Sequence, residues 1–159
     1  MLWTDGVSMQ LAEVTADLPI PLEPPPQGGY VMYLGAKVRN MQACVEFQGR
    51  LRDRGTGFEV GFDARGSTLV INADGWGYPD PRNNANVSNV NGCPDYTKRD
   101  VNGQSYDLEM TVVDREGRTA KVTQPIVPTC MLADPATQAD CVCTCAANYT
   151  LGKCGSPPP

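Results

Sequence analysis

Tyr30-Val-Met-Tyr-Leu-Gly-Ala-Lys-Val38, followed by Ala43-Cys-Val-Glu-Phe-Gln-Gly-Arg-Leu51, decides the fold class of this chain. In the first run Tyr30, Met32, Leu34, Ala36 and Val38 share one face, while Lys37 and Arg39 point the other way. In the second, Ala43, Val45, Phe47 and Leu51 alternate with Cys44, Glu46, Gln48, Arg50 and Arg52. A side-chain period of two marks a strand with one face buried. Asn40-Met41-Gln42 between the runs reads as a short turn.

The pattern continues outward. Gly55-Thr56-Gly57 turns the chain into Phe58, Val60 and Phe62, and Arg65-Gly66 turns it again into Leu69 and Ile71. Further on, Tyr106, Leu108, Met110 and Val112 alternate with Asp107, Glu109 and Thr111. Asp114-Arg115-Glu116-Gly117 makes a hairpin turn, and Ala120, Val122 and Ile126 return opposite Lys121 and Thr123. Upstream, Val7–Val14 predicts a first strand, with Val7, Met9 and Leu11 on one face. The proline-rich stretch from Leu18 to Gly29 is extended chain, excluded from any central strand. With 14 prolines and 16 glycines, no helix is predicted.

Six or seven short strands separated by turns predict an all-β fold, an immunoglobulin-like antiparallel β-sandwich over residues 1–128. A long loop insert is expected at 72–105, and a cystine-rich extension at 129–159. The segment from Leu108 to Ala120 resembles the last hairpin of bacterial immunoglobulin-like surface domains. The chain as a whole resembles uncharacterised bacterial secreted or lipoprotein domains. The resemblance lies in Pro25-Pro26-Gln27-Gly28-Gly29, Gly35-Ala36-Lys37-Val38-Arg39-Asn40 and the Cys-x-Cys-x-Cys tail. It implies a surface location and brings no activity with it.

Composition narrows the function classes. The 159 residues are 41% hydrophobic, enough for a core, and carry a formal charge of −5. That balance argues against nucleic acid as a partner, which needs a basic footprint. There is no histidine. Serine and cysteine triads, histidine metal ligands and histidine general bases are thereby excluded. A carboxylate pair remains open to glycoside hydrolysis. Asp74, Asp80, Asp95 and Asp100 are the residues to test for that role, although solvated turn formers account for them more simply.

Seven cysteines point to an oxidising compartment, secreted or at the cell surface. No signal peptide is visible, so membrane contact is expected only through a lipid anchor outside this sequence. Cys93, Cys130, Cys141, Cys143, Cys145 and Cys154 are the expected disulfide cysteines. Cys44, on the polar side of its strand, is the expected unpaired or externally paired thiol. A zinc or copper reading of Cys141-Val-Cys-Thr-Cys145 is disfavoured, because structural zinc sites place two or more residues between paired cysteines.

The 72–105 segment is the candidate binding region. Trp76, Tyr78 and Tyr96 offer aromatic faces, and Asn83 and Asn84 offer directional hydrogen bonds, as suits a protein or glycan at the cell surface. Asp74 and Asp80 are the candidate calcium ligands, with Asn72, Asn83 and Asn84 as further oxygen donors. Turn formation and a core-capping Trp76 explain the same residues without any ligand. Asn86-Val-Ser88 and Asn148-Tyr-Thr150 are formal glycosylation sequons to which no function is assigned. The expected function is a non-enzymatic binding module acting through this segment. The alternative is a self-associating structural subunit of a surface assembly or appendage.

Overall fold

In the computed structural model most of the alternating runs form strands, but of the predicted Val7–Val14 strand only Ala12–Glu13 is one among the described residues, and the chain arranges as two β-sheets with one short helix. The structure describes every residue except Val7, Met9, Tyr96 and residues 155–159, together with the side chain of Asn84. The Val7 and Met9 positions of the first predicted strand therefore lie outside the described residues.

In chain order the strands are β1 (Leu2–Thr4), β2 (Ala12–Glu13), β3 (Leu18–Pro21), β4 (Tyr30–Gly35), β5 (Val38–Arg39) and β6 (Cys44–Asp53). They continue with β7 (Glu59–Ile71), β8 (Trp76–Pro79), β9 (Ser88–Cys93), β10 (Tyr106–Asp114) and β11 (Thr119–Thr129), and the helix α1 (Pro135–Thr144) follows. The smaller sheet has the order β2-β1-β4-β9. The larger has the order β3-β11-β10-β6-β7-β8-β5 and curls into a half-barrel.

Tyr30, Met32 and Leu34 of β4 share one core with Phe47 and Leu51 of β6, Leu108 and Met110 of β10, and Ile126 of β11. All are 3% exposed or less. Full burial of such a side chain contributes about 1.5–3 kcal/mol, so this one cluster dominates the stability. The opposite face of β4 is covered as well, because Val31 and Tyr33 form a second small cluster with Val87.

The structure corrects four further sequence expectations. The larger sheet is not purely antiparallel, since β3 runs parallel to β11, pairing Leu18 with Ile126 and Pro21 with Thr129. The chain leaves the smaller sheet after β2 and joins the far edge of the larger one, where Pro19 and Pro21 are tolerated. Arg65-Gly66 is not a turn; β7 runs unbroken through it. Phe62 consequently faces out, with the Arg50 guanidinium 4.5 Å from its ring centre.

The 72–105 segment is not a single loop, because it contains β8 and β9. Ser88-Asn-Val-Asn-Gly-Cys93 has weak strand propensity, and its pairing with β4 overrides that preference. Finally, residues 135–144 are helical. The Asp134 carboxylate accepts the Thr137 N–H at 2.7 Å and Pro135 fills the first turn, both helix-start features.

The C-terminal extension folds back onto the sheets. Cys130, Cys141 and Cys145 are buried in the main core cluster. The Tyr30 hydroxyl donates to the Asp140 carboxylate at 2.7 Å and reaches the Thr137 carbonyl at 3.3 Å. Burial and the neighbouring carboxylate both push its pKa up. Asn102 accepts the Cys130 N–H at 2.8 Å, and the Cys145 carbonyl accepts the Val101 N–H at 3.0 Å.

Candidate binding surface

Three disulfides fix the extension: Cys93–Cys145, Cys130–Cys141 and Cys143–Cys154. Cys44 is unpaired and half-buried. It opens onto a groove of about 520 Å³ that includes Glu46, Gln48, Gly66 and Thr68. No helix among the described residues is long and apolar enough to cross a membrane.

Trp76 and Tyr78 lie on the same side of β8, both half-buried, while Gly77 and Pro79, which alternate with them, are buried. The turn into this strand is built locally. The Asn72 side-chain oxygen accepts the Trp76 N–H at 2.9 Å, and Gly75 takes φ +77° as the turn requires. Gly77 makes room for its neighbours, since a Cβ there would stand 2.8 Å from Ile71 Cδ1 and 3.0 Å from Leu69 Cδ1, so both side chains would have to shift.

β5 pairs with β8 at the sheet edge, setting Val38 opposite Gly77 and Arg39 opposite Trp76. The register brings two cations to the indole. Lys37 Nζ lies 4.9 Å from its centroid and Arg39 Cζ 5.8 Å. Lys37 and Arg39 are exposed, and neither forms a salt bridge within the described residues. Trp76 is therefore not a bare platform, because its π-system holds positive charge at the surface. This is what the sequence reading missed. Lys37 and Arg39 were legible as outward residues of one strand, but their meeting with Trp76 depends on a pairing across nearly forty residues.

Of the other described candidates, Asp80 and Asn83 are occupied. Both oxygens of Asp80 face Arg82, with contacts of 2.6 to 3.1 Å, and this pairing lowers the Asp80 pKa to about 2. Asn83 accepts the Ala85 N–H at 3.0 Å at the start of a single 3-10 turn, Asn84–Asn86. Asp74 is exposed at the β7–β8 turn. Neither Asp74 nor Asp80 belongs to a metal-ligand cluster; among the described residues the one such cluster is Cys130, Cys141 and Cys145. The side chain of Asn84 and the whole of Tyr96 lie outside the described residues. Asp95 caps its own turn through Thr97, and Asp100 accepts the Ala147 N–H at 2.7 Å. The first carboxylate serves its own turn, and the second holds backbone of the C-terminal extension.

Compared with known families, characterised proteins and solved structures, the chain matches none of them.

Proposed function

We propose that the chain is a non-enzymatic extracellular or cell-surface module that binds an acidic group on a protein or glycan through the β5–β8 edge. The observation that carries this reading is the stacking of Lys37 and Arg39 on Trp76 without a carboxylate partner. A rigid ring lowers the cost of ordering two long cationic side chains, leaving them ready for an incoming carboxylate or sulfate. Tyr78, on the same face, supplies a further aromatic surface. The net charge of −5 disfavours extended polyanions such as nucleic acid and suits a single acidic group held at one spot.

The strand order supports an immunoglobulin-like reading of the fold. A sheet running from the last hairpin through β6 to three further strands, opposite a sheet containing β1, β4 and β9, resembles a variable-type arrangement. Three disulfides support an oxidising, extracellular location. An adhesion role, anchored through a lipid outside this sequence, fits both.

The test compares a sialylated or sulfated oligosaccharide with its neutral counterpart by titration calorimetry at low salt. Binding of the acidic probe alone, lost in Lys37→Ala/Arg39→Ala with an unchanged Tm, supports the reading. Equal binding of the neutral probe would overturn it. A second reading, a subunit of a surface assembly, draws on the unpaired Cys44 beside its groove. It predicts a disulfide-linked dimer on non-reducing gels that Cys44→Ser abolishes.

A further inference from the structure

Three of the six bonded cysteines form one buried sulfur cluster, and a fourth is bonded into it. Cys145 Sγ lies 3.9 Å from Cys130 Sγ and 4.0 Å from Cys141 Sγ, although these pairs are not bonded to each other. The sulfurs of Cys130, Cys141 and Cys145 all fall within 4.8 Å of one another, and all three residues are buried. Cys93, the fourth, is bonded to Cys145 and 5% exposed. A tetrahedral zinc ion with Zn–S bonds of about 2.3 Å holds its sulfurs about 3.8 Å apart. Two of the cross-distances in this group already stand near that spacing.

The helix explains the arrangement. Cys141 and Cys145 are four residues apart, a little over one turn, so both sit on the buried side of α1. Cys143 between them is exposed and bonds Cys154 at the surface. The tail that reads in sequence as Cys-x-Cys-x-Cys thus presents Cys-x-x-x-Cys to the core. That spacing falls within the range used by structural zinc sites.

We propose that Cys93, Cys130, Cys141 and Cys145 form a structural zinc site when both of their disulfides are reduced, and that this site holds α1 on the sheets in the reduced chain. Each disulfide is opened by a dithiol, which gives up two electrons and two protons and leaves as its own disulfide. The four thiols then release four protons as their thiolates bind one Zn²⁺. Oxidation by a disulfide oxidant restores both bonds and expels the metal. The inference is independent of the β5–β8 surface.

The test uses the full chain, reduced with a phosphine under argon, freed of reductant and titrated with Co²⁺ and then Zn²⁺. One Co²⁺ per chain is expected, giving sulfur-to-cobalt charge-transfer absorption and tetrahedral visible bands that one equivalent of Zn²⁺ bleaches. Cys145→Ser, compared in the same reduced state, should lose this signal. Cys143→Ser/Cys154→Ser and Cys44→Ser should keep it. Zinc should also raise the Tm of the reduced wild type above its value in EDTA by several degrees. The proposal is overturned if the reduced wild type shows no sulfur-to-cobalt absorption, if Cys145→Ser retains it, if either control variant loses it, or if zinc leaves the Tm unchanged.

Discussion

A Cβ placed on Gly61 of β7 would stand 1.8 Å from the carbonyl oxygen of Asn91 in β9. On the neighbouring strand, a Cβ on Gly49 would stand 2.3 Å from Val90 Cγ2. The two glycines let β9 lie directly against the larger sheet.

Gly61→Ala should therefore destabilise the protein by about 3 kcal/mol or more, since backbone, and not a flexible side chain, stands in the way. Gly66→Ala on the same strand, where a Cβ meets nothing within 4 Å, should change stability by less than about 0.5 kcal/mol. Urea unfolding of both variants checks this; similar losses would mean that β9 does not set the requirement.

The Asp114 carboxylate is buried at the β10–β11 hairpin and fully bonded. One oxygen accepts the N–H groups of Glu116 and Arg118 at 3.0 Å, and the other accepts Gln42 N–H at 3.2 Å and Arg118 Nε at 2.7 Å. Burial pushes its pKa up, but Arg118 and the three N–H groups outweigh this and hold it below the ordinary carboxylate value. A lowered pKa gives stability that is complete above the unfolded value and lost as pH falls through the folded one. Asp114→Asn should lower the Tm by several degrees at neutral pH, and the gap should narrow in acid. A gap constant with pH would contradict the assignment.

Glu23 behaves oppositely. Burial, and then the charge of Asp5, raise its pKa from 4.5 to about 6. The protonated form is favoured in the fold, so its contribution is complete below 4.5 and lost as pH rises through about 6. Glu23→Gln should stabilise the protein at pH 7 by about 1 kcal/mol after allowance for solvent screening, and give no gain in acid. Thermal melts across that window measure it directly.

The disulfides should differ in weight. Cys93–Cys145 closes a separation of 52 residues and Cys143–Cys154 one of 11. Chain entropy gives about 4 kcal/mol for the first and about 3 kcal/mol for the second. Paired Cys→Ser variants should follow that order in denaturant unfolding, with the second loss confined to the end of the extension by hydrogen exchange.

Calcium should have no effect. With Asp80 bound to Arg82 and Asn83 capping its own turn, millimolar calcium should leave the Tm where EDTA leaves it. An upward shift would reinstate the Asp74–Asp80 site.

Cys44–Asp53 and Tyr106–Asp114 were legible because one face of each meets the core and writes a period of two into the sequence, and Tyr30–Gly35 because burial on both faces writes a continuous apolar run. β9 was not, because Ser88–Cys93 is polar and is held by its partners in β4. The helix was missed for a related reason. Its apolar face consists largely of cysteine, so no periodic hydrophobic pattern announces it, although Asp134-Pro135 marked where it starts. At the β5–β8 edge, Trp76 and Tyr78 could be picked out as aromatics in a polar setting. Their role changes with the neighbours Lys37 and Arg39, which only strand pairing supplies.

The parallel pairing of β3 with β11 bears on the order in which the molecule is made. Residues 18–21 leave the ribosome early, yet their sheet partner spans residues 126–129. The fold cannot complete while the chain is being synthesised up to that point, and contacts of such long sequence separation form slowly. The larger sheet thus lacks its outermost strand until the C-terminal part of the chain has been made. Every cysteine partner that locks the finished structure lies at residue 93 or beyond, so the covalent closure also comes late.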